Sequence, residues 1–316
     1  MRVKPNPILF RTSVALALAV AGLGCSGTQS PQTTGNSVAT GGSTSPNGTS
    51  STGGATTGNS SIGGSGGSTN STCVSSATQF SFFVTSRARL FALAQAFNAS
   101  TNGFGGDLRY GETGTGAGLL GADKICTAIA EASMPGNCKQ WHAFLSTSAI
   151  SAISRIGAGP WYDRIGRLVA NDTTELLNTR PVNANTKIIN NLPNEDGTPH
   201  HQEETNSQGQ AADNHDILTG TNAQGNLYGA SSTCSDWTSI SSSIKPRCGH
   251  SWPTSMSGGN PDGGSSGCDM SNWMCALDEA GCAPGYNIIE SGAGTNNGTV
   301  GSGGGYGAIY CFATTQ

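Results

Sequence analysis

Nine cysteines, from Cys73 to Cys311, fall in a stretch where glycine, serine and asparagine interrupt nearly every apolar run. Compact domains carry many long irregular connections only when these are functional or cross-linked. In an exported chain, cysteines in such a setting form disulfides. A metal-thiolate reading finds no CxxC pair: Cys268 and Cys275 are seven residues apart, and Cys248-Gly249-His250 stands alone. Nine is odd, so one thiol should stay free or pair between chains. Cys73 should either pair with Cys138 or be that thiol.

Export is written at the start of the chain. Arg2, Lys4 and Arg11 precede the apolar run Ser13-Val14-Ala15-Leu16-Ala17-Leu18-Ala19-Val20, which continues to Leu23. That length suits a signal peptide and is short for a transmembrane helix. Gly22-Leu23-Gly24-Cys25 resembles a lipobox, where cleavage before a cysteine exposes it for lipidation. Residues 1–24 are therefore expected to be a lipoprotein signal and Cys25 the lipid anchor, with more than one acyl chain giving stable attachment. Residues 26–72 hold no charged side chain, and their apolar residues are Val38, Ala39, Ala55 and Ile62. Such a segment buries too little apolar surface to offset its ordering entropy. It should act as a flexible tether spanning about 35–40 Å. Residues 25–72 form the anchor and linker, and residues 73–316 the folded head.

Composition narrows the partners. Only 11% of the 316 residues are charged, against about 25% in a typical domain. The net charge is −4, so the clustered basic charge that nucleic acid requires is missing. The 47 glycines show no every-third-residue period, which excludes collagen. Contact with a membrane is expected through the lipid anchor only.

Order should begin near Gln79, where Phe80, Phe82, Phe83 and Val84 make a strand-like run. Residues 118–132 place Leu119, Ile125, Ile129 and Ala132 at helical spacing before Pro135-Gly136, predicting a helix. Residues 141–145 read as a buried strand and 148–156 as a second, short helix. Shorter apolar stretches at 167–169, 217–218 and 308–312 lie among long connections.

Four ordered segments carry a family resemblance: Gly121-Ala122-Asp123 with Cys126; Pro135-Gly136 followed by Ala143-Phe144-Leu145-Ser146; Leu218-Thr219-Gly220-Thr221 followed by Cys234-Ser235-Asp236-Trp237-Thr238; and Ile309-Tyr310-Cys311-Phe312. Together they resemble the endostatin-like domain, the C-terminal module of certain collagens. They resemble more closely its bacterial relatives among surface lipoproteins, which include the leptospiral endostatin-like proteins. The resemblance implies an α+β, C-type-lectin-like fold: a twisted, mainly antiparallel sheet, two helices and long disulfide-stapled loops. It implies nested disulfides, Cys126 with Cys311 and Cys234 with a cysteine before the last strand, of which Cys282 is the nearest. It also implies a bacterial cell envelope location, exposed at the outer membrane surface, and adhesion to host or matrix proteins. The collagen modules' heparin site does not carry over, because His142 precedes Ala143 and the chain is acidic. Nor does their N-terminal zinc site, because residues 73–90 contain no histidine.

Residues 195–216 form the most polar loop, and within it Asp213, His215 and Asp216 are the candidate metal ligands. Its carboxylates suit calcium and its histidines a transition metal. Such loops are more often simply solvated, so no cofactor is assigned and calcium is named only as a possible ion. Gly249-His250-Ser251-Trp252-Pro253 shares part of the G-x-S-x-G nucleophile elbow but ends in proline, outside a strand-turn-helix context. Gly301-Ser302-Gly303-Gly304-Gly305 lacks the lysine of a phosphate loop. Trp141 and Trp237 lie within the family-like segments and should be buried. Trp252 and Trp273 sit in Gly/Ser-rich loops and are the ligand-binding candidates. The chain is thus read as non-enzymatic, recognising an extracellular protein. A glycan is the second ligand class, and hydrolysis at Ser251 is a distant third.

Overall fold

In a computed structural model of the chain, residues 79–201, 214–252, 268–287 and 298–314 are described. The chain divides into residues 1–66 and 67–316, and every described residue lies in the second unit. The signal, Cys25, the linker, Cys73 and Asp213 lie outside the described residues.

The head is α+β. Its centre is β8 (Gly305–Ala313), nine residues that are all buried because neighbours flank both sides. β1 (Phe82–Val84) runs antiparallel along one side, pairing Phe82 with Phe312 and Val84 with Tyr310. β2 (Trp141–Ala143) runs antiparallel on the C-terminal half of β8, opposing Trp141 to Ala313. β5 (Asp216–Leu218) pairs parallel with the N-terminal half. Antiparallel β6 (Arg247–His250) and β7 (Leu277–Asp278) then extend the sheet. A separate hairpin-like pair joins β3 (Trp161–Tyr162) to β4 (Leu168–Ala170). The sheet is therefore antiparallel apart from the β5–β8 pair at its heart.

The helix expected at 118–132 is α2 (Ala117–Ser133), which buries Leu119, Ile125, Cys126 and Ile129. The helix expected at 148–156 is not formed: only a 3₁₀ turn, Ala152–Arg155, lies there. Another helix, α1 (Arg87–Ala96), precedes α2. Ser86 caps it, accepting from Arg89 N–H, and Glu195 in turn accepts from the amide and hydroxyl of Ser86. Leu90, Phe91, Leu93 and four alanines lie all round α1, although only Leu90 and Ala94 are fully buried, so it shows no apolar stripe to find by periodicity. One-turn segments complete the set: α3 (Thr173–Leu176) and α4 (Cys234–Trp237). α4 is left-handed, with positive φ at Cys234, Ser235, Asp236 and Trp237. The left-handed region costs an ordinary residue about 1–2 kcal/mol. Several contacts hold the segment there. Thr233 accepts from Asp236 N–H, Trp237 Nε1–H donates to the Ser146 carbonyl at 2.8 Å, and Cys234 is bridged to Cys282.

α2 lies close against loop backbone. A Cβ on Gly118 would meet the Asp236 carbonyl oxygen at 2.1 Å, and one on Gly121 the Arg109 carbonyl at 2.0 Å. Backbone cannot swing aside as a flexible side chain can, so Gly121→Ala is expected to destabilise the head by about 1–3 kcal/mol in urea unfolding. Two residues on, Asp123 ties α2 to the sheet: it accepts from Ala143 N–H, takes Arg155 Nη2 on both carboxylate oxygens, and lies 2.9 Å from His142 Nδ1.

Three disulfides are described: Cys126–Cys311, Cys234–Cys282 and Cys268–Cys275. The first two are the pairings that the resemblance implied. Cys138 is bridged to a partner outside the described residues. The free thiol among the described residues is Cys248, fully buried on β6, where burial above all pushes its pKa far up. No helix among the described residues is long and apolar enough to cross a membrane.

Candidate functional site

The polar centre of the head forms where β5 begins and β6 ends. Their antiparallel register sets Asp216 directly opposite His250, so both side chains share one face. The β5–β8 register shifts between Asp216 and Ile217. Such irregularities re-aim neighbouring side chains, and His215 reaches the same place although it is next to Asp216 in sequence. His250 Nε2 lies 2.9 Å, and His215 Nε2 3.3 Å, from Asp216 Oδ1. The two imidazole rings stand perpendicular with centroids 4.2 Å apart. All three residues are buried.

Surrounding groups fix this arrangement. His250 Nδ1 lies 2.6 Å from the Met270 carbonyl. Arg180 donates to the carbonyls of His250 and Ser251 at 2.6 and 2.7 Å and to that of Ile189; burial pulls its guanidinium down to about 10. The 301–305 glycine run has a purpose here. A Cβ on Gly303 would stand 2.5 Å from Asp216 Oδ2, and one on Gly305 2.9 Å from the Asp216 Cβ. Glycine lets the turn close over two buried carboxylates, Asp216 and Glu279. Glu279 Oε2 accepts from Ser302 Oγ at 2.5 Å and from Gly303 N–H at 3.0 Å. Burial first, and the neighbouring Asp216 charge second, raise Glu279 well above the usual carboxylate range. Burial, then His215, lower His250 below the usual imidazole range.

Of the sequence candidates, His215 and Asp216 come together and Asp213 is outside the described residues. His250 was missed as a partner. Its link to Asp216 is a cross-strand pairing, which local spacing does not reveal. The described parts of the two polar loops do meet: the His201 ring stacks on Trp252 at 4.4 Å and 10°, beside His215. Trp252 is half-buried at this edge. Trp273 is not a surface residue. It is fully buried against Phe144, Tyr310 and Phe312, with its Nε1–H bonded to the Leu176 carbonyl. Its Gly/Ser-rich surroundings misled because Gly249 uses its missing Cβ to admit the Trp273 carbonyl, at 1.9 Å from where that Cβ would be. Ser251 is buried, with its hydroxyl 3.3 Å from the His215 carbonyl oxygen.

No family model matches the chain, and no curated protein matches it.

A second feature lies at the C-terminal end of α1. A cleft of about 380 Å3 is lined by Phe97, Phe104, Tyr110, Arg109, Ile240 and Pro284, among others. Tyr110 packs on Phe97 at 4.9 Å and on Phe104 at 5.7 Å. Phe97 is 46% and Ile240 55% exposed. The Asp107–Arg109 ion pair, at 2.6 Å, stands on the rim.

Proposed function

We propose that this is a bacterial envelope lipoprotein whose head, of the endostatin-like and C-type-lectin-like type, recognises an extracellular protein without catalysing a reaction. Lipidation at Cys25 holds it at the outer membrane. The observation that carries the recognition reading is the aromatic cleft. Phe97, Tyr110 and Arg109 are of the residue types enriched at protein interfaces, and exposed Ile240 adds apolar surface beside them. A cross-linked head also limits the ordering cost of binding. A glycan is the second ligand class, favoured by aromatic faces set beside the Asp107–Arg109 pair.

The test presents the full-length protein to immobilised matrix proteins and, in parallel, to a glycan array. Saturable binding to a protein ligand should fall about tenfold or more in a Phe97→Ala, Ile240→Asp double variant, with the thermal midpoint of the head unchanged. Binding confined to the glycans and competed by free sugar would select the second reading. Cys25→Ala should abolish incorporation of labelled fatty acid.

A further inference from the structure

We propose that His215, Asp216 and His250 bind a divalent transition ion of the zinc class. Among the described residues they are the one group of three metal-competent side chains whose donor atoms all lie within 4.8 Å of one another. The inference is independent of the recognition reading and of the aromatic cleft.

The shape of the cluster is the first argument. Two donors bound to one tetrahedral zinc, each at about 2.0–2.2 Å, stand about 3.3–3.5 Å apart. The two imidazole nitrogens lie 3.3 and 2.9 Å from the same carboxylate oxygen, so a small inward ion needs little movement of the ligands. The perpendicular rings aim from different directions, as ligands around a single centre must.

The second argument is the wiring behind His250. With Nδ1 2.6 Å from the Met270 carbonyl, the ring proton belongs on Nδ1 and Nε2 carries the lone pair. Metal-bound histidines are held in this way, the outer nitrogen donating to a carbonyl and the inner one free to ligate. That lone pair, lying where an N–H would lie, is not aimed along the 2.9 Å line to Asp216 Oδ1 but to one side of it, as it must be if both atoms face a shared centre. Two electron-rich atoms so close in a buried site are held together best by a cation, and a metal ion or an added proton are the two candidates. The rigid frame favours the metal, because Arg180 on the His250 carbonyl and the Gly303–Gly305 turn against Asp216 hold the ligands in place. Two nitrogens and one carboxylate suit zinc, cobalt or nickel; calcium takes oxygen ligands. Of the two ion classes the loop's residue types suit, this donor set selects the nitrogen-preferring one over calcium.

The experiment strips the purified, oxidised full-length protein with chelator and titrates it with zinc and, separately, with cobalt(II). One equivalent of either ion should bind, cobalt should develop the visible bands of a low-coordinate nitrogen/oxygen site, and zinc should raise the thermal midpoint by several degrees. Calcium should do neither. His215→Gln and His250→Gln should each weaken binding about tenfold or more, whereas Cys248→Ala should leave it unchanged. If a histidine variant fails to fold, the wild-type cobalt spectrum decides, since a thiolate site or no site at all would contradict the assignment. Absence of binding at about a tenfold molar excess of metal, or undiminished binding in both histidine variants, overturns the proposal and leaves a proton between His250 and Asp216.

Discussion

Replacing Cys126 and Cys311 together by alanine is expected to lower the unfolding free energy by about 5 kcal/mol. The bridge spans 185 residues, and closing so long a loop removes more freedom from the unfolded chain than closing a short one. On the same relation Cys234–Cys282, spanning 48, should be worth about 4 kcal/mol and Cys268–Cys275, spanning 7, about 2. Native geometry adds to the first. Cys311 lies on β8 directly between Phe83 of β1 and Ala143 of β2, so its bridge fastens α2 to the central strand. Urea denaturation of the three double-alanine variants tests the ranking. A 126/311 variant less affected than the 268/275 variant would show that residual structure in the unfolded chain outweighs loop length.

The second large effect separates two tryptophans. Trp273→Ala should cost about 4 kcal/mol, because it removes a fully buried indole packed on three aromatic rings together with its hydrogen bond to the Leu176 carbonyl. Trp252→Ala, half-buried and stacked on His201, should cost less than about 1 kcal/mol. Chemical denaturation of both variants checks the contrast. Equal losses would mean that Trp252 is as much a part of the core as Trp273.

What could be read from residues alone follows from how local each signal is. α2 announces itself because Leu119, Ile125 and Ile129 repeat within one helix, β1 and the latter half of β8 because their apolar runs are continuous, and β2 by the apolar residues around His142. α1 hides because its apolar residues do not fall on one face, and the single turn of 3₁₀ helix at Ala152–Arg155, of which only Ala152 is buried, replaces the longer helix expected there. The parallel β5–β8 pair, and with it the sheet order, joins segments far apart in the chain. The same distance concealed half of the polar centre. His215 and Asp216 advertise themselves as neighbours in a polar loop, whereas His250 acquires its role only through strand register. Left-handed α4 is invisible for a different reason: Cys-Ser-Asp-Trp has no glycine, and tertiary contacts impose the conformation against local preference.

The position of β8 in the chain has a consequence for the timing of folding. The strand with which β1, β2 and β5 all pair is the last described one to be synthesised, and β1 is the first. Chains emerge from the ribosome N-terminus first, and contacts between distant segments form slowly. Until residues 305–313 are available, β1, β2 and β5 have no common neighbour, and Cys126 has no partner to oxidise with. The topology itself therefore postpones the joint burial of β1, β2 and β5, and the native oxidation of Cys126, until the last described strand has been made.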